Sequence, residues 1–290
     1  MHKKITMRII ITSLIIILSF TNSVFAQIDT TQVISEEKIT TWELAKYDAG
    51  LMWGGFKQVY TSPFKWDQDD WAIAASIAVG TAGLNIIDDD AHDYFAQQNE
   101  DIPGVVKDFG WYFGSPQNNY GVNGAIYLAG LFTKSKKLRK TGILMISSAS
   151  AAGLIQTISK SATGRARPNS GSKATFRPFS NEGGYHSFPS GHTILSFTTF
   201  YALSKQFDNI WVKGALIAGG MVSPVSRLWA EAHWLTDVAL STALTIVVVD
   251  SIDKYLDRTM SNDPAYKERN NKISWQLQFG GNRIGVIGTF

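Results

Sequence analysis

The sequence predicts an all-α fold: a helical bundle with about six core helices, plus a short C-terminal β-hairpin. Two observations predict it, and a third bounds the chemistry. Six apolar segments rich in Ala, Ile, Leu and Gly recur along the chain, each bounded by turn or charge signals. Strict alternation of apolar and polar residues appears only near the C-terminus. There is no cysteine among the 290 residues, so disulfides, cysteine-ligated zinc and thiol chemistry are excluded. The length allows one large domain or two small ones. The net charge of +3, without a basic stripe on a recognisable module, argues against a nucleic-acid partner.

Residues 1–26 read as a secretory signal peptide. Lys3, Lys4 and Arg8 precede the apolar run Ile9 to Phe20, and Val24-Phe25-Ala26 offers a small-residue cleavage site. The run is shorter than the ~20 residues a spanning helix requires. Residues 27–62 form a polar leader followed by an amphipathic helix. That helix carries Trp42, Leu44, Leu51, Trp53, Phe56 and Val59 and is expected to break or bend near Gly54-Gly55.

Residues 63–258 form the main helical domain. Its six helices are expected at Trp71–Ile87, Gly121–Phe132, Thr141–Ile158, His192–Leu203, Trp211–Val225 and Trp234–Val249. The acidic stretch from Asp88 to Asp101 reads as a solvated helix end and loop, since it lacks the spacing of a calcium loop. The basic run Lys134–Lys140 reads as a connection between two helices, either a solvated one or a cytoplasmic loop. Residues 259–290 are a linker and hairpin: Ile273, Trp275, Leu277 and Phe279 alternate with polar residues, Gly280-Gly281-Asn282 turns, and Ile284, Val286 and Gly288 resume the alternation. Two strands cannot close a barrel, so the hairpin is expected to dock on the helical domain.

Three clusters of chemically capable residues fall at helix ends. Lys160, Arg165, Arg167 and Pro168 follow the third helix. Pro189-Ser190-Gly191-His192 opens the fourth. Ser226, Arg227, His233 and Asp237 lie at the junction before the sixth. Lys160, Arg167 and Arg227 are cations beside apolar helices, where unpaired charge is costly, so a multivalent anion suits them. Ser190 can cap a helix whose first N–H groups, beginning at Gly191, point at such an anion. His233 and Asp237 are four apart and would share a helical face, the carboxylate holding the imidazole in one tautomer. His192 is placed to donate a proton to a leaving oxygen.

These residues resemble the signature of the type 2 phosphatidic acid phosphatase and vanadium haloperoxidase superfamily, in its bacterial phosphatase branch. Lys160 through Arg167-Pro168 match its first motif, Pro189 to His192 its second, and Ser226-Arg227, His233 and Asp237 its third, in order and internal spacing. The resemblance spans about residues 70–252. It implies a helical bundle in which His233 attacks phosphorus to give a phosphohistidine, Asp237 orients His233, and His192 is the general acid. Lys160, Arg167, Ser190, Gly191 and Arg227 would hold the phosphoryl oxygens, with no metal and no cofactor. The implied activity is metal-independent, acid-phosphatase-type hydrolysis of phosphomonoesters or pyrophosphates, with a phosphorylated lipid or small phosphoester as substrate. Vanadate would be an inhibitor.

Alternatives remain at this stage. A haloperoxidase would use the same pocket with vanadate as cofactor, although known haloperoxidases of the superfamily are generally longer. A phosphotransferase would pass the phosphoryl group to an alcohol. A non-catalytic envelope protein would keep the fold but break a motif, and none is broken. Glu231 is expected to pair with Arg165 or Lys173, or to tune leaving-group access; His186 is a weaker candidate for substrate contact.

Placement is read from hydropathy and charge. Mean hydropathy is near zero, at −0.04, and several apolar segments are too short to cross ~30 Å of hydrocarbon upright. Six spans after a cleaved signal would also export Lys134–Lys140, against the positive-inside tendency. A periplasmic or envelope domain resting on a membrane through residues 42–59 is therefore expected. The alternative is an integral multi-pass inner-membrane protein.

Overall fold

The structure, a computed structural model, describes residues 39–261 and the backbone of two strands beyond them. The expected signal peptide and polar leader up to residue 38 lie outside the described residues. Helices are named α1 (Thr41–Thr61), α2 (Gln68–Leu84), α3 (Asp88–Gln98), α4 (Gly104–Phe113), α5 (Pro116–Phe132), α6 (Lys136–Thr163), α7 (Gly191–Ser204), α8 (Ile210–Trp229) and α9 (Leu235–Ser261). All six expected helices are present. The sequence reading missed α4 and placed α3 in a solvated loop.

Local chemistry explains the helix starts. Thr40 and Glu43 close a capping box ahead of α1, and Asp67 and Asp70 do so ahead of α2. Ser135, Ser190 and Asn209 cap α6, α7 and α8 by accepting from first-turn N–H groups. The core is built on α6 and α9, whose Ile143, Leu144, Met145, Val248, Val249, Ile252 and Leu256 are buried together with Ile194 of α7.

The helix α1 differs from expectation. It runs unbroken through Gly54-Gly55, because those glycines are where α9 comes close. A side chain at Gly54 would overlap the Tyr255 ring, and one at Gly55 would touch Ile252. Leu44 and Leu51 face the same core, and buried Asp48 pairs with buried Arg139 of α6. Phe56 and Val59 pack against that core as well, while Trp42 and Trp53 stay exposed. The basic run before Thr141 is absorbed: Arg139 holds Asp48, and Lys140 reaches Asp253 at 2.9 Å and Asp257 at 2.6 Å.

Further apolar surface is exposed elsewhere. Among the described residues, three helical stretches are long and apolar enough to cross a membrane: Gln68–Gln98, Lys136–Thr163 and Leu235–Ser261. In α2 no residue is buried, and Trp71, Ile73 and Val79 are exposed. Beyond Ser261 the structure describes only a backbone pairing of Ser274–Gly280 with Arg283–Thr289; the docked hairpin expected from the sequence is not supported by it.

Candidate active site

The three clusters converge where α6 ends and α7 and α9 begin. Gly164 makes this possible. It closes α6 in the left-handed region at φ 55°, its N–H returning to Lys160 O, and its α-carbon lies against the Arg177 carbonyl with no room for a side chain. The chain turns there and brings Arg165 and Arg167 back beside Lys160.

His233 is buried, at 4% exposure. It does not share a helical face with Asp237, as the four-residue spacing suggested. It lies in the short loop ahead of α9, and Asp237 belongs to that helix's first turn. The carboxylate reaches back in the manner of a cap. Asp237 Oδ2 accepts from Trp234 N–H at 2.9 Å and from Ser187 Oγ–H at 2.5 Å, and lies 3.4 Å from His233 Nδ1. The proton of the neutral ring is thus drawn to Nδ1, leaving the lone pair on Nε2.

That lone pair faces cations. Arg167 Nη1 stands 3.5 Å from Nε2 and donates to Ala232 O at 2.7 Å. Lys160 Nζ donates to His186 O at 2.5 Å, and Arg167 Nη2 to the same carbonyl at 3.4 Å. His186 thus meets the cluster through its backbone, while its ring lies 2.7 Å from Ser180 O. Burial pushes the His233 pKa down to about 4, against the pull of Asp237 and with help from Lys160 and Arg167. Burial likewise lowers that of Arg167.

Across the cluster, Ser190 caps α7. Its Oγ accepts from Thr193 N–H at 3.4 Å and from Thr193 Oγ–H at 3.0 Å, so its own proton is free to donate elsewhere. The N–H groups of Gly191 and His192 open the first turn, where an α-helix leaves donors unsatisfied. At fourteen residues α7 is not among the candidate spans. Burial first, then Arg227, His233, Lys160 and Arg167, push the His192 pKa down to about 3.

Two buried polar atoms here have no hydrogen-bond partner, His192 Nε2 and Arg227 Nη1. Orphaned buried donors of this kind call for a ligand or an unusual role. The remaining Arg227 donors, Nε and Nη2, go to Ser226 Oγ at 3.1 and 3.0 Å.

Three features were not legible in the sequence. Trp111 of α4 joins His192 to Arg227: the guanidinium carbon is 4.9 Å from its ring centre and the His192 ring 5.1 Å. Asp88, expected in a solvated stretch, is buried and bonded to Arg165. Glu231 pairs with neither Arg165 nor Lys173. Arg165 is taken by Asp88 and Asp237, Lys173 holds Asp89 at 2.8 Å, and Glu231 meets His92 at 3.0 Å. Sequence spacing does not rank these partners.

Comparison with known proteins agrees with this geometry. The family model of the PAP2 superfamily matches residues 141–253, a range that contains every residue of the three clusters. The match to the PAP2 superfamily thus covers the part of the helical domain that carries the site. Two similar relatives are a lipid A 1-phosphatase of Rhizobium etli and a lipid A 1-phosphatase of Rhizobium johnstonii. Each is 34% identical over 94 residues, which cover 31% of this chain and 40% and 38% of the respective relative. The chain therefore matches less than half the length of these relatives. No solved structure matches. In the matched region the motif residues come from α6 and the loop after it, the cap and first turn of α7, the end of α8, the loop that holds His233, and the first turn of α9.

Proposed function

We propose that this protein is a membrane-associated phosphatase of phosphorylated lipids, a phosphoric monoester hydrolase that works through a phosphohistidine. The observation that carries the reading is His233 itself. A buried imidazole has its Nδ1 on a carboxylate and its Nε2 toward Arg167, with the unpartnered Arg227 Nη1 and His192 Nε2 in the same cluster. Such a pocket suits a tetrahedral anion with a nucleophile beneath it.

In this mechanism Lys160, Arg167, Arg227, the Ser190 hydroxyl and the Gly191 N–H bind the phosphoryl oxygens and stabilise the charge of a loose transition state. The Nε2 lone pair of His233 forms the N–P bond as the P–O ester bond breaks. His192 gives its proton to the departing alkoxide. Asp237 holds the Nδ1 proton and balances the charge on the ring. Water, losing a proton to His192, then displaces the phosphate. No metal is assigned a step, because the cations and the α7 N-terminus supply the positive potential.

Placement supports a lipid substrate. A helix such as α2, apolar and with no buried residue, needs an apolar solvent, and Gln68–Gln98, Lys136–Thr163 and Leu235–Ser261 each exceed the ~20 residues that cross a bilayer. We therefore place these helices in a membrane, in preference to a domain resting on one through residues 42–59. Lys160 lies near the C-terminal end of α6 and Asp237 near the N-terminal end of α9. The reacting groups thus sit at span ends, at the depth of lipid head groups. Exposed Trp111 and Tyr112 of α4 suit the same interface.

The test is a substrate panel with purified protein in detergent. It spans phosphatidate, a lipid-linked pyrophosphate, a glucosaminyl 1-phosphate lipid and p-nitrophenyl phosphate. Release is expected to persist in EDTA, to fall with orthovanadate, and to show a kcat/KM at least tenfold higher for a lipid than for the soluble ester. Release from none of them would overturn the proposal, as would release that depends on an added divalent cation. Oxidation of bromide by peroxide with added vanadate would favour the haloperoxidase chemistry instead.

A further inference from the structure

Behind Asp237 lies a chain of buried charge that the phosphatase mechanism does not use. Arg165 is 3% exposed, and Asp88 and Asp237 are fully buried. Arg165 Nη1 donates to Asp237 Oδ1 at 2.7 Å and to Thr236 Oγ1 at 2.6 Å, and Nη2 donates to Asp88 Oδ2 at 2.7 Å. Its Nε donates to Lys173 O at 3.2 Å. The rings of Phe188 and Trp234 lie 5.8 and 5.7 Å from the guanidinium. Asp88 also accepts from Thr236 N–H at 2.9 Å and Thr236 Oγ1–H at 2.6 Å, so the first residue of α3 caps the helix that carries Asp237.

We propose that Asp88 and Arg165 are positioning residues for His233: Arg165 clamps one oxygen of Asp237 so that the other faces Nδ1, and Asp88 keeps the clamp net negative. This rests on the reading of His233 as nucleophile. Asp237 and Arg165 alone would cancel and leave the imidazole facing a neutral pair. With Asp88 the buried set carries one net negative charge, which favours the cationic ring of the transition state. A bridge needed only to join helices would gain little from this design, since desolvating three charges costs about as much as their pairing returns. The planar fork of Arg, packed near two aromatic rings, fixes the Asp237 plane in a way a lysine could not.

The experiment is Asp88→Asn in the full chain, which removes the charge and keeps the shape. The His233 ring is titrated by NMR of histidine-labelled protein without substrate, assigned with His233→Gln. The other charged or titratable groups around His233 stay in place: Lys160 of α6, Arg167 and His92, His192 of α7, Arg227 and Glu231. The His233 pKa is expected to fall by about one pH unit, as it does when a nearby anion is lost. In the same variant kcat is expected to fall about 10- to 100-fold, by analogy with the carboxylates that orient metal-bound histidines. KM and the inhibition constant of inorganic phosphate should change less than about threefold.

An unchanged titration with unchanged kcat would overturn the inference, as would losses of kcat and phosphate binding that track only the loss of folded protein. Should the variant fail to fold, Thr236→Val takes its place. It removes only the hydroxyl shared by Asp88 and Arg165, and a kcat loss of about tenfold with phosphate binding intact supports the inference, while wild-type kcat overturns it. Wild-type protein that releases no phosphate from any substrate counts against the proposed function, and the electrostatic coupling is then judged on the titration alone.

Discussion

Replacing His233 with alanine is expected to lower phosphate release by about 10⁴-fold or more, the scale found when a nucleophile is removed from a cooperating set. Inorganic phosphate should still bind within severalfold of wild type. The two expectations separate chemistry from binding. Lys160, Arg167 and Arg227 reach the pocket from other elements, and each has partners other than the imidazole. Arg167 is held by Ala232 O and Gly183 O, Arg227 by Ser226 Oγ and the Trp111 face, and Lys160 by His186 O. Asp237 would keep Arg165, Ser187 and the Trp234 N–H. The loss should therefore appear in kcat. Isothermal calorimetry with phosphate, beside a turnover assay, reads both.

The second large effect concerns His192. Its Nε2 has no partner, and burial together with Arg227, His233, Lys160 and Arg167 pushes its pKa down to about 3. The ring is thus neutral at pH 7 in the free protein, and so is His233, whose pKa is pushed down to about 4. A neutral His233 is ready to attack; a neutral His192 cannot yet donate. An arriving dianion offsets the surrounding cations and favours the protonated ring, so its pKa rises on binding. Binding should take up protons near neutral pH, measurable by calorimetry in buffers of different ionisation heat. With alkyl phosphates kcat/KM should decline as pH rises, since the protonated fraction of His192 is lost in that direction. His192→Ala should cost about 10² to 10⁴-fold with alkyl leaving groups, the usual worth of a general acid. With p-nitrophenyl phosphate, whose leaving group departs without a proton, the loss should be below about tenfold. Equal losses on both substrates would remove His192 from that role.

Much of the fold was legible because helix signals are local. Apolar runs and caps such as Ser190 act within a few positions, and each of the six expected core helices is present. The motif residues were legible because their spacing reflects one shared pocket. Other features were decided by tertiary partners. Gly54-Gly55 looked like a break and is instead the contact that admits Tyr255 and Ile252. His233 and Asp237 looked like a helical pair, but the carboxylate reaches back across the helix start to a residue in the loop. Asp88 looked solvated among its acidic neighbours, yet it alone of Asp88, Asp89 and Asp90 turns inward to Arg165. Trp111 gave no signal, because its ring contacts join residues more than 80 positions away. The candidate spans were hidden by an average: a mean hydropathy near zero conceals an apolar α2 with no buried residue.

The central claim is that phosphate passes through His233. Its most direct test is acid-free denaturing quench of the protein with a ³²P-labelled lipid phosphate during turnover, followed by peptide mapping. The account predicts label that is stable to alkali, labile to acid, located on His233, and lost in His233→Ala. Steady release of phosphate with no labelled protein, or label on another residue, would contradict it.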